Sequence, residues 1–253
     1  MPCLSDNYAY LAIGPGGEAV VIDASEAEPV RRAAAAEGAR LRAIWSTHHH
    51  HDHVGGNEAL AREISIDVLG HVSDSGRLPA MSLGVHEGDV IGIGGSAARC
   101  LHVPGHTLGA VAYLLDEESA SPVVFTGDTL FCAGCGRLFE GTPAQMVASL
   151  ARLAALPGPT RVYPGHEYTL SNLRFAAHVE PSNVDVEKAI ERATLLRARG
   201  EPTVGTTIAE ELRVNPFFRV RSPEIRATLG IAPLASDVEA FAAIRAAKDS
   251  FRG

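Results

Sequence analysis

Along the first two-thirds of the chain the apolar residues gather in short runs set apart by glycine and polar turns, at positions 8–13, 19–22, 43–46, 66–69, 90–93, 97–103, 111–115, 123–126 and 161–163. Runs of this length bounded by turn residues predict strands. Pro15-Gly16-Gly17 between the first two runs is a hairpin signal, and 28–37 and 56–63 have helical composition between strands. Many strands with few helices predict a layered α/β (α+β) domain, with sheets inside and helices outside. From about residue 170 the pattern becomes helical with almost no strand-like run, which divides the chain into 1–169 and 170–253. Within the second part, 183–199 places Val186, Ile190 and Ala193 at helical spacing and stops at Gly200, a C-cap signal. Thr207 with Glu210 and Ser236 with Glu239 have the spacing of capping boxes, the second opening a final helix to about residue 251.

Composition narrows the classes. Of 253 residues 46% are hydrophobic and 21% charged, enough apolar material for a full core. No run approaches the roughly 18 apolar residues of a membrane span, and Met1 to Asp6 carries neither the basic nor the apolar region of a secretory signal, so a cytoplasmic protein without a membrane partner is expected. A net charge of −8, with Lys188 and Lys248 the only lysines, speaks against a nucleic-acid partner. Four cysteines are too few for a disulfide-stapled chain of this length. Cys132 and Cys135 form a lone C-x-x-C, which is a weak zinc signal and reads better as two small packed residues in a glycine-rich loop.

The strongest chemical signal is Thr47-His48-His49-His50-His51-Asp52-His53-Val54-Gly55-Gly56, directly after the run 43–46. Imidazole and carboxylate suit borderline divalent ions, and a loop at a strand end delivers several of them at once. In an extended segment His48 and His50 point the same way, while Asp52 and His53 lie past the bend and address a second ion. An expression tag would sit at a terminus and carry no interspersed Asp. Three further candidates follow strand-like runs, each after a glycine that permits close backbone approach: His106, Asp128 and His166. With the first cluster they complete two sites. His49, His51, His71, His86, His102 and His178 are assigned structural or surface roles, and Asp23 either orients a ligand or caps a loop.

These motifs, together with Ser5-Asp6-Asn7-Tyr8, Gly127-Asp128-Thr129-Leu130-Phe131, Gly134-Cys135-Gly136-Arg137, Gly165-His166-Glu167-Tyr168-Thr169, Asn215-Pro216-Phe217 and the Arg245/Lys248 pair, resemble the glyoxalase II family of hydroxyacylglutathione hydrolases within the metallo-β-lactamase superfamily. The resemblance spans nearly the whole chain. It implies a four-layer αββα sandwich followed by a helical C-terminal domain. It implies two divalent metal ions, zinc by default with iron or manganese as alternatives, the first held by His48, His50 and His106, the second by Asp52, His53 and His166, with Asp128 bridging. It further implies thioester hydrolysis of S-D-lactoylglutathione, the second step of methylglyoxal detoxification, by a hydroxide held between the metals, since a bound divalent ion lowers the pKa of water to roughly 7. Asp128 and Asp52 are the candidate catalytic carboxylates, Asp52 in orienting the nucleophile.

Arg245 and Lys248 lie three residues apart on the final helix, hence on one face, where they suit a carboxylate such as that of glutathione's glycine. By resemblance Arg137, Tyr168, Arg245 and Lys248 contact glutathione. Phe139 stands where related enzymes carry Tyr, and His51 where an aromatic residue is usual. The first strand is expected to be short, with Ser5 only four residues from the start of the chain. A monomer is expected. The alternatives on the same fold are a single-iron glutathione persulfide dioxygenase, for which a seven-ligand set is excessive, and a lactonase or β-lactamase, which has no need of the helical tail.

Overall fold

The computed structural model describes residues 1–115 and 121–253. Its first sheet carries β1 (Tyr10–Ile13), β2 (Glu18–Ile22), β3 (Arg40–Trp45), β4 (Asp67–His71) and β5 (Leu83–Val85) in that order. β1 and β2 pair antiparallel around the Pro15-Gly16-Gly17 turn, where Gly17 takes φ 72°, a left-handed conformation open to glycine. The remaining pairs are parallel. Parallel neighbours need crossovers, supplied by α1 (Ala27–Ala36) and then by α2 (His51–Val54) with α3 (Asn57–Ile64).

The second sheet is built from β6 (Val90–Ile93), β7 (Ser96–His102), β8 (Val111–Leu115), β9 (Val123–Gly127), β10 (Arg161–Pro164) and β11 (Thr206–Thr207), in the order β11-β10-β9-β8-β7-β6. Side-chain alternation sorts the apolar residues into layers. Val20, Ile22, Trp45 and Leu69 of the first sheet meet Cys100, Tyr113 and Phe125 of the second in the central core. Their neighbours Val21, Ile44 and Val68 face the other way, onto Val30 of α1 and Leu60 of α3. On the far side of the second sheet, Ala112, Leu114, Val124 and Val162 pack on Met146, Leu150 and Leu153 of α4 (Pro143–Ala154). The helical segment α5 (Thr169–Val179), α6 (Val184–Ala198), α7 (Ile208–Val214), α8 (Pro223–Thr228) and α9 (Asp237–Ser250) continues that outer layer. Phe175, Ile208, Phe241 and Ile244 from these helices share the core of the second sheet. The result is the αββα sandwich with C-terminal helices that the resemblance implied.

Local sequence signals set several boundaries. α6 starts after Asn183, whose Oδ1 accepts from Asp185 N at 3.0 Å, and Gly200 just beyond its end takes φ 71°. Both expected capping boxes form, at Thr207/Glu210 and Ser236/Glu239. Several elements escaped, the edge strand β5 and the single turn α2 among them. α4 sits among strands, and its own capping box, Thr142/Gln145 with Pro143 in the first turn, was the signal that announced it. β11 lies inside the segment read as helical, a two-residue strand pairing with Arg161 and Val162, too short to leave an alternating pattern. Among the described residues no helix is long and apolar enough to cross a membrane.

α9 is held by a fully buried face and begun by a cap, and the two contributions differ in size. Phe241→Ala, at a residue with 0% exposure, is expected to cost about 3–5 kcal/mol. Ser236→Ala, which removes only the cap, is expected to cost about 1 kcal/mol. Urea denaturation reads both; equal losses would contradict this account of α9.

Candidate metal centre

β7 and β9 each run antiparallel to β8, and β10 runs parallel to β9, so the three end at the same edge of the second sheet. His106 follows β7, Asp128 closes β9 and His166 follows β10. The loop after β3 brings His48, His50, Asp52 and His53 to meet them. Strand carboxyl ends are where a layered α/β fold leaves a crevice for chemistry. Close approach is possible only because glycine stands at the tightest points: a Cβ on Gly165 would lie 2.5 Å from His53 Cε1 and 2.7 Å from Asp128 Oδ1. Gly127 takes φ 48° with its α-carbon against Thr47.

The donor atoms converge as three overlapping groups, His48/His50/His106, His48/His53/Asp128 and Asp52/His53/His166, each with its ligand atoms within 4.8 Å of one another. His50 Nδ1 is 3.0 Å from His48 Nε2 and 3.0 Å from His106 Nε2. His166 Nε2 is 3.3 Å from His53 Nε2 and 3.3 Å from Asp52 Oδ2. Asp128 spans the two ends, with Oδ1 3.3 Å from His53 Nε2 and Oδ2 3.3 Å from His106 Nε2. Buried Asp128 Oδ1 has no hydrogen-bond partner.

Outward hydrogen bonds select the tautomers. Thr47 Oγ1 donates to Asp23 Oδ2 at 2.7 Å and accepts from His48 Nδ1 at 3.0 Å. His53 Nδ1 donates to Asp23 Oδ2 at 2.9 Å, His106 Nδ1 to the Arg137 carbonyl at 2.9 Å and His166 Nδ1 to Asp6 Oδ1 at 2.9 Å. Four imidazoles therefore turn Nε2 inward, with orientation and basicity set by the opposite nitrogen. Asp23 is the ligand-orienting residue of the two options its sequence position offered. Asp6, Asn7 and Thr47 carry no sequence signal for this role beyond the presence of the first two in the Ser5-Asp6-Asn7-Tyr8 motif.

Electrostatics divide the cluster. Burial drives His48 well below the usual histidine range, and burial with the neighbouring His106 lowers His50 to about 4. His106 is also lowered, chiefly by burial. These three rings are neutral at pH 7, the form that ligates. Burial opposes a charge on His53 and His166 too, but Asp128 and Asp23 hold His53 well above its ordinary value, and Asp128 and Asp52 hold His166 at about 10. Asp128 stays ionised against its burial because His53 and His166 face it, and the His166 hydrogen bond keeps Asp52 ionised. Protons on the two imidazoles thus stand where cations would. Inward nitrogens, an unpartnered carboxylate oxygen and an all-N/O donor set fit borderline divalent ions.

The other histidines fall outside this geometry. His49 turns to Asp74 at 3.3 Å and Glu140 at 3.5 Å, His71 and His102 stack on each other at 3.9 Å, and His51, His86 and His178 are not among the converging donors. Cys132 and Cys135 are free and buried, burial pushes the Cys135 thiol up to about 12, and among the described residues neither joins a converging donor group.

Beside the cluster opens a cavity of about 380 Å³ whose lining includes His106 and Asp128 together with Arg137, Phe139, Tyr168, Arg245 and Lys248. Tyr168 stacks flat on His166 at 4.7 Å, and Phe139, 63% exposed, stands edge-on to His50 and His106. Arg245 is buried, giving Nη1 to the Cys135 carbonyl at 2.8 Å and Nη2 to Asp249 at 2.9 Å. Lys248 Nζ donates to the Ser171 carbonyl at 2.9 Å, and burial with Arg245 and Arg137 nearby lowers it to about 8.

Residues 5–166 match the family model of the metallo-beta-lactamase superfamily, and with this sandwich and donor cluster the chain is a member of that class of protein. Residues 167–251 match the model described as the hydroxyacylglutathione hydrolase C-terminus. The chain is 48% identical to the hydroxyacylglutathione hydrolase of Maricaulis maris over 99% of its own length and 96% of that protein. It is 47% identical to that of Methylococcus capsulatus, covering 100% of this chain and 98% of the relative. It belongs to the hydroxyacylglutathione hydrolase family. Among solved structures it is similar to ETHE1 from Myxococcus xanthus, with TM-score 0.65 and 29% identity over 96% of this chain and 94% of that one. It is also similar to TTHA1623 in a di-iron-bound form, with TM-score 0.60 and 31% identity over 86% and 97%.

Metal uptake by the stripped protein at pH 7 is expected to release protons from His53 and His166, counted from binding heats in two buffers of different ionisation enthalpy. No release would contradict the protonation described. In the metal-free protein His166, raised from 6.5 to about 10, contributes stability that is complete below pH 6.5 and lost as pH rises through about 10. A His166→Gln variant should show a flatter profile over that window.

Proposed function

We propose that the protein hydrolyses S-(2-hydroxyacyl)glutathione thioesters, S-D-lactoylglutathione first among them, to glutathione and the 2-hydroxy acid, the second step of methylglyoxal detoxification. The observation that carries this reading is that two donors of the cluster, His106 and Asp128, and the cationic group Arg137, Arg245 and Lys248 line one cavity. Reacting centre and anionic tail of one ligand are thereby accommodated together.

His48, His50 and His106 would hold one divalent ion, Asp52, His53 and His166 the other, and Asp128, which faces His106, His53 and His166, both. Zinc is the metal we propose, by the family resemblance; the all-N/O donor set accepts iron and manganese as well. When bound, the ions would supply a water of pKa roughly 7 and polarise the thioester carbonyl. Asp52, whose side chain is 42% exposed, is the carboxylate we assign to orienting the attacking water. A thiolate with a solution pKa of about 8.5 leaves without a dedicated acid. Burial and Asp6 raise the Tyr168 phenol above its ordinary range, so it stays a neutral hydrogen-bond donor toward the ligand.

Buried Arg245, locked between the Cys135 carbonyl and Asp249, fixes the floor of the cationic pocket, and Lys248 supplies the adjustable charge for the glycine carboxylate. In this division residues 1–169 carry the reacting centre and 170–253 complete substrate binding. Each chain completes its own cavity, which supports a monomer, and four free cysteines support a reducing cytoplasm.

The direct test follows loss of thioester absorbance and appearance of free thiol with S-D-lactoylglutathione, metal content being read on the same sample. Turnover with one thiol per thioester is expected; none in fully loaded protein overturns the proposal. Lys248→Ala should raise KM about 10–100-fold, the range for a lost charged hydrogen bond, with kcat nearly unchanged. In the wild type KM should rise as pH passes about 8, where Lys248 gives up its proton, and Lys248→Ala should remove that rise.

A further inference from the structure

The chain opens on a small hairpin, Pro2–Cys3 paired with Asn7–Tyr8, that belongs to neither large sheet. Its ends are tied down: the Met1 ammonium donates to the Ala9 carbonyl at 2.7 Å and Leu4 N to Glu26 Oε2 at 2.7 Å. Its second strand lies along the His166 loop. Asn7 bridges His166, Tyr8 N donates to the Gly165 carbonyl at 2.8 Å and Glu167 N to the Asp6 carbonyl at 2.8 Å. Two side chains continue inward. Asp6 Oδ1 accepts from His166 Nδ1 at 2.9 Å, and Asn7 Nδ2 donates to the Asp52 carbonyl at 3.1 Å and to Asp52 Oδ2 at 3.0 Å.

The two ends of the cluster are supported differently. His48 is oriented by Thr47 and His106 by the Arg137 carbonyl. Among the described residues, none of the hydrogen bonds to His48, His50 or His106 comes from residues 1–9. Two of the three donors at the other end, His166 and Asp52, are held by adjacent residues of the opening hairpin. An imidazole that gives its outer N–H to a carboxylate is fixed in orientation and more basic at the inner nitrogen. An amide donating to one lone pair of Asp52 Oδ2 leaves the other aimed into the cluster.

We propose that Asp6 and Asn7 are positioning residues that set the affinity of the His166/Asp52/His53 ion site separately from that of the His48/His50/His106 site. The proposal rests on the two-ion reading of the cluster. It makes the opening hairpin, none of whose residues lines the cationic pocket, a determinant of how fully the centre is loaded when metal is scarce.

Chelator-stripped wild type and the variants Asp6→Ala, Asp6→Asn and Asn7→Ala are titrated with zinc against a chromophoric chelator, with thermal melts of the metal-free proteins alongside. Wild type should take up two ions. In Asp6→Ala one of the two constants should weaken about 10–100-fold while the other stays within about twofold. Asp6→Asn, which keeps an acceptor oxygen but loses the charge, should recover part of that loss, as a purely structural defect would not. Asn7→Ala should weaken one constant in the same way. Asp6→Ala loses the charge-assisted bond to buried His166 and should melt below wild type while still folding; if it does not fold, Asp6→Asn and Asn7→Ala carry the test. Both constants falling together, or neither changing, overturns the proposal. Two-ion binding with the selective loss but without thioester turnover would count against the proposed substrate and leave this inference standing. A wild type that binds only one ion overturns both.

Discussion

Five imidazoles and two carboxylates aim their donor atoms at one another across a few ångströms of largely buried space. Lone pairs facing lone pairs, and carboxylates removed from water, are costly unless something positive lies between them. Without an ion that role falls to protons, which is why His166 is held at about 10 against its burial. Much of the surrounding architecture serves to make this crowding possible. Outward N–H groups are occupied by Asp23, Asp6, Thr47 and the Arg137 carbonyl, and glycines stand where a single Cβ would collide.

The sandwich supplies rigidity at the right place. Three strands of the second sheet end together at the cluster, and the first sheet brings the histidine loop from across the central core of Trp45, Tyr113 and Phe125. The C-terminal helices then serve two purposes. Their apolar residues complete the outer core of the second sheet, and α9 carries Arg245 and Lys248 into the lining of the cavity. A negatively charged chain thereby concentrates cations at one point, with Asp249 between Arg245 and Arg137 limiting their repulsion.

Much of this was legible in the sequence. Strand runs, two capping boxes and the α6 boundary follow from local chemistry, which needs no tertiary information. The seven donor residues could be named because folding alone seldom calls for so many His and Asp side chains directly after strands and glycines. What the sequence withheld is long-range. That Asp6 reaches His166 and Asn7 reaches Asp52 depends on how an opening hairpin folds back over the chain. That Arg245 is buried against the Cys135 carbonyl, rather than free to fork a carboxylate, depends on the hairpin formed by Leu130–Phe131 and Gly134–Cys135. α4 was missed for a local reason, since its Thr142/Gln145 box is plain in the residues but sits among strands.

On our proposal these donors hold two ions across Asp128. Anomalous X-ray diffraction from crystals of the zinc-loaded protein addresses it without reference to substrate. Two peaks should flank the Asp128 carboxylate, one beside His48, His50 and His106 and one beside Asp52, His53 and His166. A single peak, or peaks that leave Asp128 without a metal neighbour, would contradict it.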